Sequence, residues 1–133
     1  MRVTVDTNVL VRAAVADDAV QAAAAAKLLR SATRVAVALP TLCEFVWVLR
    51  KVYAIDVGEI AATIRALVDG PTVAVDRAAV EAGLALLEAG GDFADGVIAH
   101  EGRRLGGDVF ASFDRRAVTL LQRAGEAATL LDG

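Results

Sequence analysis

Cysteine occurs once in the 133 residues, at Cys43, so an intramolecular disulfide is excluded. A reduced, cytoplasmic setting is the expectation that follows. Histidine also occurs once, at His100, and one cysteine with one histidine makes no zinc-type ligand cluster. Lysine is scarce: Lys27 and Lys51 stand against twelve arginines, and neither lies in the second half of the chain. No apolar run approaches the ~20 residues of a membrane-spanning helix, and charges interrupt every candidate. A lone Arg2 followed by an acid at position 6 predicts no secretory signal.

What is present is a core. Hydrophobic residues make up 56% of the chain, which argues against disorder. A chain of this length buries roughly two thirds of its unfolded surface, and one domain over residues 1–133 is the expectation. Short strand-like runs fall at Val3–Val5, Arg34–Ala38, Thr72–Val75, Val109–Ala111 and Ala128–Leu131. Between them lie helical stretches long enough for the crossovers that parallel strands require. The order βααβααβααβαβ predicts a three-layer α/β fold, with a central parallel sheet of four to five strands flanked by helices.

Four acids carry the functional argument. Asp6 follows the first strand-like run and Asp114 the fourth, at the carboxyl ends where α/β sheets gather ligands. Glu44, after Pro40, and Asp95, after Gly90-Gly91, are expected in the first turns of separate helices. Helices that follow such strands can aim those turns at one edge, so the four acids could converge. Two like charges about 4 Å apart cost on the order of 4 kcal/mol at an effective dielectric of about 20. A proton or a cation must offset that repulsion. Oxygen ligands suit Mg²⁺ or Mn²⁺ better than zinc, and water on such an ion can attack phosphorus without a covalent nucleophile.

Ordinary roles stay open beside these. Asp6 and Asp114 are both suited to cap the helices that follow them, and Asp92 stands at N-cap spacing before Asp95. Glu44 lies among Leu42, Cys43, Phe45, Val46 and Trp47, where a lone acid is expected to face a site or a buried partner as much as solvent. Asp17, Asp56 and Asp76 read as structural helix starts. His100, five residues past Asp95, lies off that residue's helical face and reads as a surface or satisfied side chain. Trp47 and Tyr53 read as core or interface residues.

The net charge of −3 argues against a nucleic-acid partner, since phosphate binding is largely electrostatic. Without the four site acids, each contributing −1, the remainder carries +1. Arginine forks match phosphate geometry, although a base-composition bias in the coding sequence produces the same skew.

Read in order, VDTNVLVR, LCEFVWVL, DFADGVIAH and ASFDRRA give the chain a resemblance to PIN-domain ribonucleases, specifically VapC-type toxins of type II toxin–antitoxin (VapBC) pairs. Each motif is weak alone; the ordered set spans essentially the whole chain. The resemblance implies a PIN fold and Mg²⁺- or Mn²⁺-dependent cleavage of RNA. It carries Asp6, Glu44, Asp95 and Asp114 into the catalytic, metal-holding positions, with Asn8, Asp92 and Ser112 in support. It also implies a homodimer and a VapB-like antitoxin seated in a groove, for which Phe45, Trp47, Val48 and Tyr53 offer apolar surface, with an arginine of the partner reaching the acids.

Gly96 departs from the alanine common in relatives, and a helical glycine costs roughly 0.5–1 kcal/mol, so a looser turn around Asp95 is expected. Arg103, Arg104, Arg115 and Arg116 are candidate RNA contacts, with ordinary surface solvation as the competing reading. Two other functions remain on this sequence. One is a PIN-like module that binds RNA or a partner without turnover. The other is an aspartyl-phosphate phosphotransferase of the haloacid-dehalogenase or receiver type, disfavoured by the missing late lysine.

Overall fold

The structure, a computed structural model, describes residues 1–132. Their contacts group into two compact units, Met1–Asp76 and Arg77 onward.

In the first unit, β1 (Arg2–Thr4), β2 (Arg34–Ala36) and β3 (Val73–Ala74) form a parallel sheet in that order. Val3 pairs with Val35, and Val35 with Val73. The ladder runs past the strand ends through Val5 N–H to Ala36 O (3.2 Å) and Val37 N–H to Ala74 O (3.0 Å). Val5, Val35 and Val37 are buried, and Val35 and Val37 share one face by the period-two alternation of a strand.

Paired helices connect the strands: α1 (Thr7–Ala14) with α2 (Ala19–Ser31), then α3 (Leu39–Lys51) with α4 (Val57–Val68). Pro40 sits in the first turn of α3, where its missing N–H breaks no helical bond. The core face of α3 is Leu42, Phe45, Val46 and Leu49, spaced i, i+3, i+4, i+7. Ile60, Ala61, Ile64 and Val68 do the same for α4. By contrast α2 buries Ala25 alone, so alanine's high intrinsic propensity contributes much of its helicity.

The second unit begins with α5 (Arg77–Glu88) and α6 (Phe93–Arg104), a packed pair joined through Gly90 at φ 101°. β4 (Phe110–Ser112), α7 (Arg115–Arg123) and β5 (Ala128–Leu130) complete it, and β4 and β5 pair in parallel. Leu86, Ala99, Leu120 and Leu121 form a buried cluster against which Phe110 and Ala128 pack. The element order is the expected one, and all strand pairs are parallel. The five strands divide between a three-stranded and a two-stranded sheet among the described residues.

The helix pair α5–α6 is held at close range by glycine. A Cβ on Gly83 would lie 2.6 Å from Phe93 Cε2. A Cβ on Gly96 would run into the Ala82 carbonyl oxygen and lie 2.8 Å from Gly83 Cα. Gly96 is therefore buried against backbone, and the expected loosening around Asp95 is corrected: its missing side chain is what lets α6 seat on α5. Gly96→Ala should destabilise the protein by about 1–3 kcal/mol through overpacking. Gly102→Ala, on the same helix with nothing within 4 Å of its Cβ position, should stabilise it by about 0.5–1 kcal/mol. Denaturant unfolding of the two variants checks both signs.

Candidate active site

Each acid expected after a strand stands where chain direction changes. Asp6 is the N-cap of α1, with extended backbone, and its Oδ1 accepts from Val9 N–H at 3.1 Å. Asp114 caps α7 in the same manner, accepting from Ala117 N–H at 3.1 Å. The Asp114 N–H donates to Ser112 Oγ at 2.9 Å, so the serine at the end of β4 orients the acid two residues on. Asp92 caps α6, accepting from Ala94 N–H at 3.0 Å, and Asp95 lies in the first turn of that helix. These caps are real bonds, and each engages one carboxylate oxygen while leaving the other for a further partner.

In the second unit the acids act on one another. The Asp95 carboxyl is held above the usual carboxylate range, first by its partial burial and then by the negative charges of Asp92 and Asp114. Burial and like charge both disfavour ionisation. A hard divalent cation would favour it again, and an oxygen-only donor set suits such an ion. The residues present therefore fit the metal that the sequence motifs imply.

The turn bearing Asp92 is braced from α7. Arg116 Nε donates to Gly90 O at 2.9 Å, and its Nη2 lies 2.7 Å from where a Gly90 Cβ would be. Arg103 pairs with Glu126, and Arg104 with Glu101 at 2.9 Å. Three of the four arginines expected at RNA thus already have intramolecular partners; Arg115 is exposed.

In the first unit, Asp6 and Asn8 open onto a cavity of about 380 Å³ between α1 and α2. Val9 and Arg12 of α1 and Gln21, Ala25 and Leu28 of α2 also line it. Glu44 is not among the lining residues. It falls in the second turn of α3, not the first, and it is exposed. The reason is the period of the core face: Leu42, Phe45, Val46 and Leu49 take the buried side and leave Glu44 and Trp47 outside. A buried partner for Glu44 is excluded by that exposure.

The same face corrects the apolar groove. Phe45 is 1% exposed and offers almost no surface to a partner, whereas Trp47 is 58% exposed and is not a core residue. Tyr53 is committed elsewhere, donating from its hydroxyl to Asp17 Oδ2 at 2.9 Å. Asp17 in turn accepts from Arg12 Nη1 at 2.7 Å, and the cap of α2 is Asp18. Asp17 is therefore not a plain helix start. Tyr53, then Arg12, hold its carboxyl below the usual range, and Asp17 holds Arg12 above its own.

The PIN domain family matches residues 3–125. The chain belongs to the PIN domain family. No curated protein and no solved structure shows a significant match to it. The α/β fold with parallel strands is PIN-like, and the family places the chain among hydrolases that act on nucleic acids, typically with divalent metals. No helix among the described residues is long and apolar enough to cross a membrane.

Sequence reasoning passed over Arg12 in this PIN domain. A signal was available, because Arg12 stands four residues after Asn8 and so shares its helix face.

The raised Asp95 carboxyl has a definite sign. Its contribution to stability is fully present below the ordinary carboxylate range and is lost as pH rises through its raised value. At neutral pH without metal, Asp95→Asn should therefore stabilise the fold, by at most about 1 kcal/mol at this solvent-screened position, and raise Tm accordingly. The gain should vanish in acid. Added Mg²⁺ should raise the Tm of the wild type and leave the variant unmoved; calorimetry at both pH values with and without Mg²⁺ checks this.

Proposed function

We propose that this PIN domain is a Mg²⁺- or Mn²⁺-dependent endoribonuclease, the VapC-type toxin of a toxin–antitoxin pair, acting in the cytoplasm. The observation that carries the reading is the PIN domain match over residues 3–125, and a raised Asp95 carboxyl, with burial first and the charges of Asp92 and Asp114 behind it, supports a cation there. Asp6, Glu44, Asp95 and Asp114 are the proposed metal-holding acids. When bound, the ion supplies an activated water and neutralises charge on the phosphodiester.

The chain's own residues supply the positioning. The capping bonds of Asp6 and Asp114 restrict each carboxylate to one orientation at a helix start. Ser112 fixes the backbone of Asp114. Asp92 is a supporting acid that sets the first turn of α6 and adds charge beside Asp95. Asn8 adds an uncharged polar group beside Asp6. The proposed partners are RNA, a VapB-like antitoxin and a second copy of the chain, with Trp47 as the exposed apolar contact on α3.

The test is cleavage of total cellular RNA in Mg²⁺, in Mn²⁺ and in EDTA, beside Asp6→Asn. Asparagine caps a helix as well as aspartate does, so this variant removes the charge and keeps the fold. Metal-dependent, discrete fragments are expected from the wild type, with the rate falling about 100-fold or more in the variant. Cutting that survives EDTA, or proceeds at the wild-type rate in Asp6→Asn, would overturn the assignment. RNA binding without turnover would identify a binding module.

A further inference from the structure

We infer that the cavity between α1 and α2 is a subsite for one unpaired nucleotide of the RNA substrate, with Arg12 as the residue that binds its phosphate. The inference rests on the ribonuclease reading and specifies the substrate as single-stranded at this point.

The cavity combines two kinds of wall. Asp6, Asn8, Arg12 and Gln21 supply polar groups, and Val9 and Leu28 supply apolar surface. A nucleotide has the same division between phosphate and base, and bases splayed out of single strands are what proteins read in RNA. The cavity adjoins Asp6, so its occupant lies next to the proposed reaction centre.

Arg12 is prepared for this role in three respects. It is restrained: Asp17 takes its Nη1 at 2.7 Å, and Tyr53 holds Asp17 at 2.9 Å. It is unsaturated: its Nε is buried without a hydrogen-bond partner. It is accessible: the side chain retains 29% of its exposure and lines the cavity. A guanidinium offers five N–H donors in a rigid fork suited to phosphate.

The experiment measures binding of a fluorescein-labelled, random-sequence RNA decamer, single-stranded or duplex, in Mg²⁺. Asp6→Asn serves as the background so that turnover does not intrude. Adding Arg12→Ala should weaken single-strand binding about tenfold or more. It should also flatten the dependence of log affinity on log salt by about 0.7, the loss of one phosphate contact. Arg12→Lys should restore the salt slope.

Ala24, exposed and lining the cavity, provides a second route that leaves the Arg12 network alone. Ala24→Phe should fill the cavity and weaken single-strand binding, with Tm unchanged. Tyr53→Phe tests the staple: a purely structural Arg12 predicts that it lowers affinity as far as Arg12→Ala does. In otherwise wild-type protein, Arg12→Ala should raise KM and leave kcat nearly intact.

Unchanged affinity and salt slope in both Arg12→Ala and Ala24→Phe would overturn the subsite, and would do so even if the wild type cuts RNA. A wild type that cuts nothing, with decamer binding still dependent on Arg12, would support the subsite and defeat the turnover reading alone.

Discussion

A parallel pair of strands cannot be closed by a tight turn, and this constraint organises the whole chain. Each strand must hand over to a helix, and the chain must travel back before the next strand can pair. The joint between strand end and helix start then exposes unpaired backbone N–H groups, which need an acceptor. Asp6 follows β1 and Asp114 follows β4, and each meets that need with one carboxylate oxygen. The capping bond thus serves two ends: it closes the helix, and it fixes a charged group at the sheet edge.

The second unit shows how packing brings such positions together. Gly83 and Gly96 let α5 and α6 approach until backbone meets backbone. Arg116 reaches back from α7 to the Gly90 carbonyl and ties the intervening turn to the helix that Asp114 caps. Asp92, Asp95 and Asp114 are then close enough for their charges to oppose Asp95 ionisation. That repulsion is a cost to the fold with Asp95 ionised. In the first unit the balance differs, because the basic side chain Arg12 accompanies Asp6 at the cavity wall.

The periodic features were legible. Short strand-like runs, the Pro40 start and the Gly90-Gly91 break located each element to within a few residues, since these signals depend on local backbone chemistry. Family membership rested on an ordered set of short motifs and agrees with the match over residues 3–125. Phe45 and Glu44 were harder. Both sit in one apolar run, and only the helical phase separates the buried residue from the exposed one. Helix propensity treats Gly96 in isolation, whereas its neighbour across the pair is what excludes a side chain.

Sequence alone determined the element order, most of the cap residues and the acids available for chemistry, because capping and periodicity act over three or four residues. Tertiary structure decided which groups interact. Asp17 finds Tyr53 across 36 residues, Arg103 finds Glu126 across 23, and Asp95 feels Asp114 from another helix. Those pairings depend on distances through space that no local pattern encodes. They also settle whether an acid is a cap, an ion-pair partner or a charge held under repulsion.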